Sequence, residues 1–168
     1  MQEHAVQILA SHRIMAISTL RPDGWPQTTI VGYANEALAL YFLIFRSSQK
    51  FANIRHDSRV SIAVGNEPDE MREAKAVFAG AHAFEVLDPN QQEHAWGLLV
   101  RRHPNLAVFD LPGSSEAALM RADLKYVSVL DYSKGLGHTE AVSIGEDNGV
   151  LAHASRREVW GSSVASEI

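Results

Sequence analysis

The stretch Leu38–Val64, LALYFLIFRSSQKFANIRHDSRVSIAV, decides how the chain folds. Leu38, Leu40, Phe42 and Ile44 alternate with Ala39, Tyr41, Leu43 and Phe45, so the run is apolar on both faces and predicts a strand with no solvent side. It stops at Arg46-Ser47-Ser48-Gln49-Lys50. Ser48 stands where an N-cap belongs, and Phe51 and Ile54 are spaced to bury one face of a short helix. A helix start of this kind offers free backbone N–H groups, hydroxyls and the charges of Arg46 and Lys50, the chemistry that holds a phosphate dianion. A plain cap at Ser48 and a solvated first-turn lysine account for the same residues, and spacing alone does not separate the two readings.

Outward from this segment the pattern is one of successive hairpins. Ala5, Val6, Ile8 and Leu9 predict a short amphipathic helix over residues 3–12 that lids one end of a barrel. A strand follows from Arg13 to Leu20, Pro22-Asp23-Gly24 marks a turn, and a second strand runs from Trp25 through Val31. Asn35-Glu36 is a tight connection into the apolar third strand. Beyond the short helix, Arg59–Gly65 is a fourth strand, residues 66–72 a surface loop and Ala74–Leu87 a long fifth strand. Asp88 caps a helix with Pro89 in its first turn and Ala95, Leu98 and Leu99 on its apolar face; Pro104 ends or kinks it. Leu106–Phe109 has no assignable pattern, Ser114 or Ser115 caps a second helical piece through Met120, and Leu124–Tyr132 alternates as a last strand. Hairpins in succession argue for a closed or partly closed antiparallel barrel over a parallel sheet with helical crossovers. Residues 1–145 read as one domain; residues 146–168 lose periodicity and read as an arm or flexible tail.

Composition bounds the function. With 168 residues, 46% of them hydrophobic, the chain can bury one substantial core. It has no cysteine, which removes disulfides and thiolate chemistry. A net charge of -5 with scattered Lys and Arg argues against a nucleic-acid partner; the Arg101-Arg102-His103 and Arg156-Arg157 pairs read as solvated faces. The opening MQEHAVQILASH has neither a basic flank nor an unbroken apolar run, and no segment is apolar enough to span a bilayer, so a cytoplasmic protein with no membrane partner is expected. The eight histidines form no HxH, HExxH or i,i+4 pair, and no metal site is expected. Neither a Gly-x-Ser-x-Gly elbow nor a phosphate-binding P-loop is present, so any redox or group-transfer chemistry must come from a cofactor.

Three ordered pieces carry a family resemblance: Ser48-Gln49-Lys50, Asn53-Ile54 and Asp57-Ser58-Arg59-Val60; the hairpin from Met15 to Gln27; and the strand Ala76–Val86. Together they resemble the pyridoxamine 5'-phosphate oxidase-like proteins, the FMN-binding split barrels, over residues 5–135. The resemblance implies a mainly β (α+β) fold, an antiparallel split barrel of about six strands with flanking helices, in a homodimer with flavin sites at the interface. It implies that Ser48 and Lys50 hold the FMN phosphate, with Ser47 and Gln49 beside them. Gln49 stands where the family often has Arg, and Ile44 where a strand-end Thr often reaches the flavin; Arg46 is placed to supply the missing charge. By the same resemblance the ring edge lies along the second strand at Gln27, Thr28 and Thr29, although Thr is an ordinary strand residue without any ligand. Lys75 occupies a position where the family often carries a Gln against the flavin, and a cation near the ring's N1–C2=O edge favours the reduced anion. The glycine-rich segment Tyr132–Thr139 either turns the chain or folds over a ligand, bringing Lys134 and His138 to an anionic substrate.

The expectation is therefore an FMN-dependent oxidoreductase acting on a small molecule. The substrate is not pyridoxamine phosphate, because Arg156-Arg157 and Trp160 do not reproduce the family's C-terminal substrate motif. The alternatives are a flavin- or haem-binding protein without turnover, and an empty split barrel serving as a dimeric module.

Overall fold

The computed structural model describes residues 1–108 and 115–144, and the backbone of residues 150–155. Its elements run α1 (Gln2–Ser11), β1 (Ile14–Leu20), β2 (Pro26–Glu36), β3 (Ala39–Phe45), α2 (Gln49–His56), β4 (Arg59–Gly65), β5 (Lys75–Glu85), α3 (Pro89–Arg102), β6 (Ala117–Asp131), β7 (Thr139–Ile144) and β8 (Val150–Ser155). The strands form one antiparallel sheet in the order β3-β2-β1-β4-β5-β6-β7-β8, and β3 also pairs with β6. That last pairing closes the first six strands into a barrel, with β7 and β8 as an extension beyond β6. The mainly β split-barrel expectation holds.

Alternation fills the interior. Met15 and Ile17, Leu40, Phe42 and Ile44, Ile62 and Val64, Val77 and Ala79, and Ala118, Met120 and Ala122 all point inward and are buried. Phe51 and Ile54 of α2 join this core from one end, and Ala5, Ile8 and Leu9 of α1 from the other. The third helix lies on the outside, where Ala95 and Leu99 cover Ala34, Tyr41, Val86 and Leu119. The opposite outer face, across β2, β1, β4 and β5, leaves large side chains exposed. Ile30, Ala16, Ala63 and Phe78 form one cross-strand row there, and Ile30 and Phe78 stay 63% and 42% exposed. Ser18, Ser61 and Gly80 form the next row, which leaves the surface low and flat.

Four local expectations are corrected. The helical piece through Met120 is instead the start of β6, because Ala117–Met120 pair with Phe45–Phe42 of β3 and close the barrel. Ser114 lies outside the described residues, as does Phe109. The second strand runs on to Glu36, and Ala37 with Leu38 makes the turn, Ala37 adopting a left-handed φ of 49°. The third strand is not dry throughout, since Phe45 at its end is 62% exposed. A strand not read from the sequence, β7, adds Val142 and Ile144 to the core.

Candidate functional site

The barrel is split at the α2 end. β2 pairs with β3 only between Tyr33 and Glu36, so Gln27–Gly32 have β1 on one side and no strand on the other among the described residues. This open stretch presents unpaired backbone N–H and C=O groups, and the first turn of α2 stands beside it.

Ser48 shapes that turn. Its Oγ donates to the Phe45 carbonyl at 2.6 Å and accepts from the Phe51 N–H at 3.3 Å, so it is a true N-cap. The amides of Gln49 and Lys50 begin the helix and have no carbonyl four residues back to bond. Lys50 is half-buried and its ammonium makes no hydrogen bond or ion pair among the described residues; burial pulls it below the usual lysine range. Ser47 is exposed. Arg46 is committed elsewhere: its guanidinium grips both oxygens of Glu85, one at 3.1 Å, and lies 5.6 Å over the Phe51 ring. The charge expected from Arg46 at this turn is thus already balanced.

A polar chain ties the turn to the open strand. Gln49 Nε2 donates to Asn53 Oδ1 at 2.8 Å, and Asn53 Nδ2 donates to Thr19 Oγ1 at 3.0 Å and to Gln27 Oε1 at 3.1 Å. Asn53 is fully buried, so these bonds are what permits an amide in the core. Strand alternation then divides the three candidates on β2. Gln27 and Thr29 face inward, whereas Thr28 faces out and shares a 2.7 Å hydrogen bond with Ser18. Thr29 Oγ1 is buried without a hydrogen-bond partner, the single such side-chain atom among the described residues.

Lys75, Lys134 and His138 lie at the other end of the barrel. Lys75 opens β5 opposite Asp131, whereas Glu85, the partner of Arg46, closes it; eleven residues at the usual strand rise place the two ends about 33 Å apart. Around Lys75 the groups are paired. Lys134 Nζ and His138 Nε2 meet Glu140 Oε1 at 2.9 and 3.0 Å, and these hydrogen bonds hold the Glu140 carboxyl down at about 2. The buried Asp131 accepts from the Ser133 N–H and hydroxyl and lies 3.6 Å from His4. Glycine serves the turn between them, since Gly135 and Gly137 adopt φ of 127° and 78°.

Within one chain, then, Ser47, Ser48, Gln49, Lys50, Gln27, Thr28 and Thr29 share the split end, and Lys75, Lys134 and His138 do not reach it. Sequence reading missed Asn53 as the hub and Glu85 as the partner that neutralises Arg46. Asn53 carried two signals, its place in the family motif and a polar amide between Phe51 and Ile54 on the buried helix face; Glu85 carried none, because its link to Arg46 exists only in the folded barrel. No three His, Asp or Glu side chains converge as metal ligands among the described residues, and no described helix is long and apolar enough to cross a membrane.

Comparison with solved structures returns the same fold. A haem-binding protein from Mycobacterium smegmatis superposes with a TM-score of 0.73 at 19% identity, over 84% of this chain and 57% of that one. The chain therefore spans little more than half of that protein's length. A conserved hypothetical protein from Mycobacterium tuberculosis gives 0.70 at 21% identity, covering 89% and 94%. An FAD-binding protein from Mesorhizobium loti gives 0.61 at 22%, covering 76% and 91%. No curated protein matches in sequence. The family pattern described as pyridoxamine 5'-phosphate oxidase matches residues 1–131, from α1 to the end of β6. By that match, with the split barrel beneath it, the chain belongs to the pyridoxamine 5'-phosphate oxidase-like family.

Proposed function

We propose that this protein binds FMN at the split end of the barrel and acts as an FMN-dependent oxidoreductase on a small molecule other than pyridoxamine phosphate, in the cytoplasm. The observation that carries the reading is Lys50: a half-buried ammonium without a counter-charge among the described residues, in the first turn of the helix whose Asn53 bonds Gln27 on the open edge of β2. An anion placed there offsets the desolvation that depresses the lysine. The amides of Gln49 and Lys50 would complete the phosphate contacts, the Ser48 hydroxyl would join them by turning its proton away from the Phe45 carbonyl, and the free backbone groups between Gln27 and Gly32 would meet the ring edge. The orphaned Thr29 hydroxyl supports a polar group arriving at this strand. When bound, FMN supplies hydride or electron transfer; the protein's own groups hold and orient it and exclude water.

The test is Lys50→Ala, read by fluorescence titration. FMN should bind more weakly by about 1.5–3 kcal/mol, the range for hydrogen bonds to charged groups, whereas riboflavin, which lacks the phosphate, should bind as before. Equal losses for both ligands would sink the phosphate role. The colour of the purified protein checks the cofactor class, because a haem Soret band in place of flavin absorption assigns the pocket to haem.

The reading includes a homodimer. A second copy would bring its own Lys75, Lys134 and His138 toward the split end, and the low, exposed face around Ala16, Ser61 and Ala63 supports such an approach. Ala63→Arg puts two like charges into a self-complementary contact, so the sedimentation mass should fall from dimer to monomer. A parent protein that sediments as a monomer with FMN present removes the dimer. Residues 146–168 are proposed as an arm that the barrel does not need. Truncation after Gly145 keeps β7 and should leave the melting temperature and FMN affinity within error of the full chain; aggregation or flavin loss would place the arm within the domain.

A further inference from the structure

We propose a second ligand site, for a small organic anion carrying phosphate or carboxylate groups, in the cleft between the C-terminal ends of α1 and α3. The cleft is an open surface depression of about 630 Å³, lined by Arg13, Arg101 and Arg102 together with Ser11, Asn35 and Leu98. No acidic side chain lines it among the described residues, although the chain as a whole carries a net charge of -5. Positive charge is therefore gathered here against the overall balance.

The three arginines are not equivalent. Arg102 is fixed: its Nη1 donates to the Ala10 carbonyl at 2.9 Å and to the His12 carbonyl, and its Nη2 to Asn35 Oδ1 at 3.1 Å. It closes the end of α1, where its charge partly offsets the negative end of the helix dipole, and no carboxylate among the described residues neutralises it. The guanidiniums of Arg13 and Arg101 make no hydrogen bond or ion pair among the described residues, and both residues are exposed. Two exposed guanidiniums lining the same cleft as a fixed third supply the donors that planar, multidentate oxyanions take. The volume is in the range of small-molecule sites, and Leu98, Ala10 and Ala34 give apolar wall for an organic body, which favours a molecule over a bare ion. This cleft lies at the α1 end of the barrel, away from Ser48 and Lys50, and the inference does not depend on flavin binding.

The experiment is calorimetric titration of the full-length protein with inorganic pyrophosphate and, separately, with citrate, at constant ionic strength. Saturable binding of either probe is expected, weakened by about tenfold in Arg101→Gln and again in Arg13→Gln, as loss of one charge-assisted contact implies. Preference for pyrophosphate assigns a phosphate ester, and preference for citrate a polycarboxylate. FMN affinity should be unchanged in both variants, which separates this site from the flavin site and shows that the barrel is intact. Two outcomes overturn the proposal: neither probe saturates, or the double variant binds both probes as tightly as the parent.

Discussion

Phe42→Ala is expected to cost the barrel about 3–5 kcal/mol, the usual range for removing a fully buried phenyl ring. Phe42 has no solvent exposure and sits opposite Tyr33 on β2 and Met120 on β6, at the point where β3 is held from both sides. The neighbours cannot collapse into the space, because Tyr33 is tethered by its hydroxyl, which donates to the Leu9 carbonyl at 2.6 Å. Urea unfolding measures the loss, and Phe42→Leu, which keeps most of the volume, should lose far less. A loss below about 1 kcal/mol for the alanine variant would mean that β3 does not seal the barrel.

Asn53→Ala is expected to cost about 3 kcal/mol, by a different route. The substitution removes little apolar contact, but it strips the Thr19 hydroxyl and the Gln27 amide of their donor and leaves Gln49 without its acceptor. Thr19 is itself buried, so its oxygen stays dry unless water enters. Because Gln27 stands on the open edge of β2, the same change should raise amide hydrogen exchange along residues 27–32 ahead of the rest of the sheet. Uniform protection across β1 and β2 in the variant would show that Asn53 fills space and does not hold the strand.

What could be read from the sequence was what local chemistry enforces. Ser48 caps α2 and Asp88 caps α3 because both need only an N–H three residues ahead. Arg59–Gly65 alternates strictly and forms the strand it predicts. Ala117-Ala-Leu-Met120 was misread because alanine, leucine and methionine are strong helix formers and every position is apolar; pairing with β3 overrides that preference. The site was half legible for the same reason. The turn at Ser48–Lys50 is contiguous and could be recognised, whereas the Arg46–Glu85 pair joins residues on β3's end and β5's end that only the barrel brings together. The family resemblance puts Lys75 beside the flavin, yet strand direction carries it to the far end of its own barrel.

The closing of β3 onto β6 also sets the order in which the chain can assemble. The β1–β2, β2–β3 and β6–β7 pairs join strands adjacent in sequence and can zip up locally, but Phe42 meets Met120 only after α2, β4, β5 and α3 have been made. Long-range pairing gives no return until the intervening loop has been closed, which puts folding in the slow, millisecond-to-second class of β-barrels. Until then the edges of β3 and β6 that will meet stand open, and the apolar run from Leu38 to Phe45 is the segment a nascent chain most needs to keep from other copies of itself.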